Sequence, residues 1–217
     1  MAQKIQDKIE ELPEIYSDFE KSADEFKKSA ACKTGCADCC IYVGNVDITT
    51  MEGIVIQNRL ETFEKKLKAI IRKKLDENKA ERERGVLARC AFLKEENNTC
   101  RIYDIRPFSC RRIYSIKQCN QGQPVVHRQA IELADYTISK MQQLDDTGYS
   151  GHMSFILYLL EKSGFRKTYI AGKFNPGKIM NFGKSHGIII NQFVKPKSLS
   201  FNNNLGLLNP ASRFLRS

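Results

Sequence analysis

Apolar residues recur every three or four positions over the first part of the chain. They are Ile5, Ile9, Leu12, Ile15, Tyr16 and Phe19. This spacing places them on one face of a helix. Only Pro13 interrupts the run, because proline lacks the backbone N–H that a helix interior uses. The pattern predicts one or two helices that end at about Ala31.

A second apolar stripe predicts the clearest helix of the chain. Thr49 and Glu52 have the spacing at which each side chain satisfies a backbone N–H at a helix start. Steps of four and three then place five apolar residues on one stripe: Ile56, Leu60, Phe63, Leu67 and Ile70. Two oppositely charged pairs four residues apart support the outer face: Glu61 with Lys65 and Glu64 with Lys68. We expect one helix that runs to about Arg84 and stops at Gly85.

The later elements are predicted to be shorter. Residues 88–122 are irregular, with a turn at Asn97 and Asn98 and a short helix that begins at Pro107. Two further helices and one short β-branched strand complete the prediction, at about 127–143, 151–163 and 188–190.

Together these elements predict a mainly α protein of about six helices. We expect a small helical domain over residues 1–170, closed by a cysteine-rich metal site with its motif core at 32–119, and an irregular, basic extension over 171–217. No apolar run approaches the length of a membrane span. The charged N-terminal stretch also lacks the apolar segment of a secretory signal, which predicts a cytoplasmic protein.

The net charge of +10 is unevenly distributed. Residues 1–40 carry six Lys and nine Asp or Glu, whereas residues 171–217 carry Lys and Arg but no acidic residue. Such a region can attract an acidic ligand, a protein partner or nucleic acid, although a solvated surface is its more common use. Its phenylalanines suit a core as well as base stacking, so nucleic acid is not favoured: Phe174, Phe182, Phe193, Phe201 and Phe214.

The eight cysteines form two sets along the sequence. The first lies in the stretch CKTGCADCC and the second recurs at separations near ten: Cys32, Cys36, Cys39 and Cys40, then Cys90, Cys100, Cys110 and Cys119. The predicted long helix lies between them, so the chain can bring the second set back to the first, in one centre or in two neighbouring ones. Because a reducing cytoplasm disfavours disulfides, we expect these clustered thiols to bind a metal.

The donor chemistry narrows the choice of metal. Thiolates select zinc, iron–sulfur clusters or copper(I). Zinc typically takes its ligands from two C-x2-C turns, and only Cys36 to Cys39 makes one. The adjacent Cys39 and Cys40 are easier to satisfy if their sulfurs bind different metals or different corners of a cluster. An iron–sulfur cluster is therefore favoured over zinc, although the run lacks the bacterial ferredoxin spacing.

Basic residues crowd around the second set: Arg89, Arg101, Arg106, Arg111, Arg112 and Lys117. Cations lower the pKa of thiols and balance thiolate charge, although a single arginine more often forms a surface ion pair, for example with Asp104. Cys110 would also lie in the first turn of a helix begun at Pro107. The positive end of the helix dipole there favours ionisation of its thiol.

Four other residues are weaker candidates around the cysteines. His127 follows Cys119 closely enough to be a reserve ligand. Asp38 is interpreted as a turn residue that hydrogen-bonds the backbone of its loop. Tyr103 and Tyr114 are expected to pack over the site and limit the access of water.

The stretch CKTGCADCC, followed by CAFLKEENNTCRIYDIRPFSCRRIY and Cys119, resembles the YkgJ-type CxxCxxCC family. The similarity covers about residues 32–119 and includes every cysteine of the chain. The family is described as a zinc- or iron-chelating domain with eight shared cysteines, so the resemblance implies that all eight are metal ligands. The chain departs from the family pattern at two positions. Ala91 stands where the family usually has proline, and Ser115 stands where the family often has proline.

The same cysteine module is similar to one in the flagellin lysine N-methylases. This similarity implies an alternative function, a protein-modifying enzyme, but no Gly-rich nucleotide turn follows a predicted strand. The leading hypothesis is a metal-binding protein with a redox or sensing role, and a basic nucleic-acid-binding module is a further alternative.

Overall fold

The structure, a computed structural model, describes residues 4–33, 35–119, 122–173, 175–199 and 207–208. Its helices are α1 Ile5–Ser22, α2 Asp24–Lys27, α3 Thr50–Glu61, α4 Lys65–Glu83, α5 Phe108–Arg111, α6 Arg128–Leu144, α7 Met153–Glu161, α8 Ser163–Ile170 and α9 Met180–Ser185. Its strands are β1 Asp47–Thr49, β2 Leu93–Lys94, β3 Thr99–Cys100, β4 Val126–His127, β5 Tyr149–His152, β6 Ile189–Ile190 and β7 Leu207–Leu208. The prediction of a mainly α fold is confirmed.

Helix α1 has the buried face that the first stripe predicts. Leu12, Ile15 and Phe19 are buried, and the helix continues through Pro13, which lies on its exposed side. The short α2 follows, so the prediction of one or two helices before the first cysteine is confirmed. Helix α1 packs on α3 and α6, and this contact makes one side of the core.

The predicted long helix is in fact two helices. Its start is correct, because Thr49 and Glu52 form the reciprocal capping box at α3. At the end of α3 the N–H and the hydroxyl of Thr62 both donate to the carbonyl of Arg59, at 3.1 and 2.8 Å. Glu64 then adopts an extended ψ of 144° before α4 begins. The prediction of a single helix was wrong because a three-residue turn leaves the apolar periodicity almost unchanged.

This turn changes which side of α4 is buried. Ile71 and Leu75 face the core, whereas Ile70 of the predicted stripe is 47 % exposed. Lys68 pairs with Glu61 across the turn, at 2.7 Å, instead of with the predicted Glu64. Helix α4 thereby packs on α7 and leads the chain back towards Cys90.

An antiparallel sheet in the order β1, β5, β6 lies beside the helices. Ile48 pairs with Gly151, and Ser150 pairs with Ile189, so the predicted strand near residue 189 is confirmed. Asn191 follows this strand and is buried, where its Oδ1 accepts from the hydroxyl of Ser150 at 2.7 Å. The predicted helices near 127–143 and 151–163 are present as α6 and α7.

Parts of the basic extension lie outside the described residues, including Phe174, Phe201, Arg213, Phe214 and Arg216. Across the ranges that are described, no helix combines the length and the apolar character needed to cross a membrane.

A buried histidine lies where β5 meets the cysteine loop. The Nε2 of His152 faces the carbonyl of Gly44 at 3.0 Å, so this nitrogen carries the proton and donates. Its Nδ1 lies 2.8 Å from the hydroxyl of Ser154 and also accepts the Ser154 N–H. Burial lowers the pKa of His152 from 6.5 to about 4.

We expect acid to destabilise the fold through His152. Between pH 6.5 and 4 the unfolded chain binds a proton that the native His152 does not, so the free energy of unfolding falls with pH. The expected loss from this residue is about 2 kcal/mol between pH 7 and pH 4.5, from the two pKa values. Urea unfolding at both pH values measures it. In His152→Gln the free energy of unfolding should fall correspondingly less over the same change of pH. An equal fall in both proteins would exclude His152 as the cause.

Candidate metal centre

The first cysteine is held by the segment that precedes the last. The N–H of Ala31 donates to the carbonyl of Ser115 at 2.7 Å, and the N–H of Ser115 donates to Sγ of Cys32 at 3.2 Å. Burial raises the pKa of Cys119, and the nearby Ser115 side chain partly offsets this effect. One residue therefore connects the first and the last thiol of the sequence.

The adjacent cysteines begin a π-helical turn, Cys39–Val43. The turn is closed by the N–H of Gly44, which donates to the carbonyl of Cys39 at 3.1 Å, and Gly44 itself has φ +55°. A Cβ at this position would overlap the carbonyl oxygen of Ala88. The turn can therefore approach the segment before Cys90 only because residue 44 is glycine.

A backbone hydrogen bond joins the two cysteine-bearing segments. The N–H of Cys90 donates to the carbonyl of Cys40 at 2.8 Å, and the Cys90 thiol raises the pKa of Cys40. The neighbouring Cys40 thiol and burial in turn raise the pKa of Cys39. The sequence sets are thus brought together at the Cys39–Cys40 pair.

The hairpin β2–β3 and helix α5 carry the next two thiols. Asn98, with φ +55°, makes the predicted turn, and Cys100 pairs with Leu93 across the hairpin. The N–H of Phe108, the first residue of α5, donates to Oε1 of Glu52 at 2.7 Å. Glu52 therefore places the helix that carries Cys110, in addition to capping α3.

All eight cysteines are free thiols. Cys32 and Cys36 are exposed, and the other six are half-buried. Throughout the described ranges, no three or more His, Cys, Asp or Glu side chains are grouped so that they could hold a metal ion. The chemistry of the donor set nevertheless fits a thiophilic metal, because it is made of sulfur alone.

Burial raises the pKa of the thiols of Cys32, Cys100, Cys110 and Cys119. Neighbouring cysteines raise them further, because adjacent thiolates repel each other. For Cys40 the hydrogen bond from Cys39 lowers the pKa, but the bond with Cys90 and burial outweigh it and the pKa rises to about 12. A bound cation would oppose these effects, so metal binding at this site must release protons.

The basic residues do less for the thiols than the sequence indicates. Arg106 lowers the pKa of Cys100 and Cys110, but burial outweighs it at both. The expected easy ionisation of Cys110 is therefore wrong, although it does lie in the first turn of α5. Arg101 and Arg111 pair with Glu96 and Glu20, at 3.6 and 3.2 Å, as ordinary ion pairs.

The weaker candidates have mainly structural surroundings. The ring of His127 stacks on Phe26 at 4.8 Å. Tyr103 is 61 % exposed and stacks on Arg106, so it does not shield the thiols from water, whereas Tyr114 is buried. Asp38 precedes the π-helical turn but forms no side-chain cap there.

A family model, CxxCxxCC, with the description "Putative zinc- or iron-chelating domain", matches residues 31–147, which is more than half of the chain. The chain belongs to the CxxCxxCC family. Membership supports metal chelation by this cysteine cluster. No curated protein and no solved structure gives a significant match.

The CxxCxxCC match extends past the predicted limit at Cys119 and takes in β4 and α6. Within it, the departure at Ser115 has a structural consequence. A proline at this position could not donate the N–H that reaches Cys32, so serine adds a hydrogen bond to a thiol. Sequence reasoning noted Ser115 as a departure, but it missed this contact because residues 32 and 115 meet only in the fold.

Proposed function

We propose that this CxxCxxCC protein holds an iron–sulfur centre through its cysteine thiolates and serves electron transfer or redox sensing. The observation that carries the proposal is the junction at Cys39 and Cys40. The adjacent Cys39 and Cys40 shift each other's pKa, and the N–H of Cys90, from the other sequence set, donates to the carbonyl of Cys40 at 2.8 Å. A centre with more than one metal atom satisfies such a junction more readily than a single zinc ion does.

The surroundings also suit a redox centre. Cys90 and Cys100 pack against the hydrophobic core, while Cys32 and Cys36 are exposed. The protein residues would bind the metal, limit access of water on the core side, and leave one side open for exchange of electrons with a partner. When bound, the centre would supply one-electron chemistry.

We expect protein purified without oxygen to contain iron and acid-labile sulfide and to show visible sulfur-to-iron absorption that a reductant bleaches. Metal analysis and an absorption spectrum measure this. Zinc without iron would replace the iron–sulfur proposal by a zinc site, and protein with neither metal would overturn metal binding altogether. His127→Ala is the control, because His127 packs on Phe26, and it should keep the same metal content and spectrum.

The cytoplasmic location, the basic surface for an acidic partner and the division at residue 170 stay predictions. The first agrees with eight free thiols, which a reducing compartment maintains.

A further inference from the structure

The spatial neighbours of the thiols differ from their neighbours in the sequence. Cys119 comes last in the chain, yet it lines one surface groove together with Cys32 and Cys36. Ser115 lies near both ends of this group, because its N–H donates to Sγ of Cys32 at 3.2 Å and its side chain lowers the pKa of Cys119. The last cysteine therefore belongs with the first two.

Cys40 is the reverse case, because it belongs to the first set in the sequence but contacts the second set in the fold. It stands in the first sequence stretch, but its backbone carbonyl accepts the N–H of Cys90 at 2.8 Å and the Cys90 thiol raises its pKa. Charge on Cys100 also acts on Cys40, and charge on both Cys40 and Cys100 acts on Cys110. Cys40, Cys90, Cys100 and Cys110 are thus neighbours on the core side of the loop, although in this arrangement no three of them are grouped as the ligands of a metal ion.

Cys39 lies between the two groups, because its charge raises the pKa of Cys32 and Cys119 as well as that of Cys100 and Cys110. The backbone hydrogen bond that Cys90 donates is accepted by Cys40 and not by Cys39. With four thiols on the core side and three at the groove, Cys39 is the thiol left to complete the exposed group. Because adjacent residues in a helical turn point in different directions, the pair can serve one group each.

We propose that the eight cysteines form two neighbouring four-thiol metal sites that divide between the adjacent Cys39 and Cys40. The outer set is Cys32, Cys36, Cys39 and Cys119, and the inner set is Cys40, Cys90, Cys100 and Cys110. Four thiolates are the complete ligand set of a tetrahedral zinc site or of one iron–sulfur cluster. This inference rests on the proposed metal binding, but it holds for either metal.

The two sites should differ in how readily they release metal. The outer set includes both exposed cysteines, and three of its members, Cys32, Cys36 and Cys119, line an open groove with Lys33 and Lys117. The inner set lies against the core, and two of its members pack on core residues. A chelator should therefore empty the outer site first.

Cobalt(II) alone is a suitable probe, because tetrahedral thiolate ligation gives it intense visible absorption. Metal-free full-length chain, reduced and kept without oxygen, should bind two equivalents. The double variants Cys36→Ser with Cys119→Ser and Cys40→Ser with Cys90→Ser should each bind one. Cys90→Ser with Cys119→Ser removes the same number of thiols but damages both sites, so it should lose nearly all tetrahedral cobalt.

The opposite pattern would overturn the division. If the sites followed the two sequence sets, the Cys90 and Cys119 variant would keep one ion and the other two variants would keep none. Equal and complete loss in all three variants would indicate a single shared centre. A wild-type chain that takes up no cobalt, and that carries no metal when isolated, would instead overturn the proposed function.

A measurement on the unmodified chain removes any dependence on folding of the variants. Wild-type protein loaded with cobalt is partly stripped by a chelator and alkylated, and the modified cysteines are identified by mass spectrometry. We expect the outer set to be alkylated first and as a group. Alkylation that proceeds in the order of the sequence sets, or uniformly over all eight, would contradict the two sites.

Discussion

Replacing Gly44 by alanine is expected to lower the free energy of unfolding by about 3 kcal/mol and to reduce the metal content. Two effects combine. The φ of +55° disfavours any residue with a Cβ, and the added methyl would overlap the carbonyl oxygen of Ala88. Relief of this overlap moves the π-helical turn away from residues 88–90, which breaks the hydrogen bond between Cys40 and Cys90. Urea unfolding and metal analysis of the same preparation measure both effects.

Gly85→Ala is a matched control for the backbone strain alone. Gly85 also has a positive φ, of 74°, but among the described residues no group apart from its chain neighbours lies within 4 Å of the position that an alanine methyl would take there. The Gly85→Ala substitution should lower the free energy of unfolding by about 1 kcal/mol and leave the metal content unchanged. Equal losses from the two substitutions would show that the approach to Ala88 is unimportant.

Replacing Glu52 by alanine is expected to lower the free energy of unfolding by about 3 to 5 kcal/mol. Glu52 is buried and accepts from the N–H of Thr49, the hydroxyl of Tyr16 and the N–H of Phe108, at 2.7 to 2.8 Å. Alanine leaves all three donors without an acceptor. It also frees α5, so the position of Cys110 should be lost together with the cap. Unfolding followed by circular dichroism gives the loss of stability.

The control is Glu61→Ala at the other end of the same helix. Glu61 is exposed and pairs with Lys68 and Arg72 on the surface. Its removal should leave the unfolding curve nearly unchanged, because solvent screens surface ion pairs. If Glu52→Ala were equally mild, the buried hydrogen bonds would not be what fixes α5.

The local elements were predictable where a signal lies within a few residues. The capping box at Thr49 and Glu52 and the asparagine turn of the hairpin have the expected form. The break at 62–64 was not predictable from periodicity, because the stripe passes over the turn with little change. The hydrogen bond from the Thr62 hydroxyl that ends α3 can be recognised only in the folded structure.

The site shows the same division between local and long-range information. The identity of the eight thiols and the thiophilic chemistry follow from residue types and spacing alone. The effect of the basic residues was overestimated, since proximity in sequence does not reveal that Arg111 turns to Glu20 or that burial dominates at Cys110.

By itself, the sequence determined the helical character of this CxxCxxCC protein, the cap that starts α3 and the complete set of candidate ligands. All of these depend on residue type and short spacing. Only the tertiary structure decided that Cys40 meets Cys90 and that Cys119 returns to Cys32. Cys40 and Cys90 are 50 positions apart in the chain, and Cys32 and Cys119 are 87 positions apart. They meet through a turn at 62–64, a glycine at 44 and a buried Glu52. No local pattern encodes such approaches.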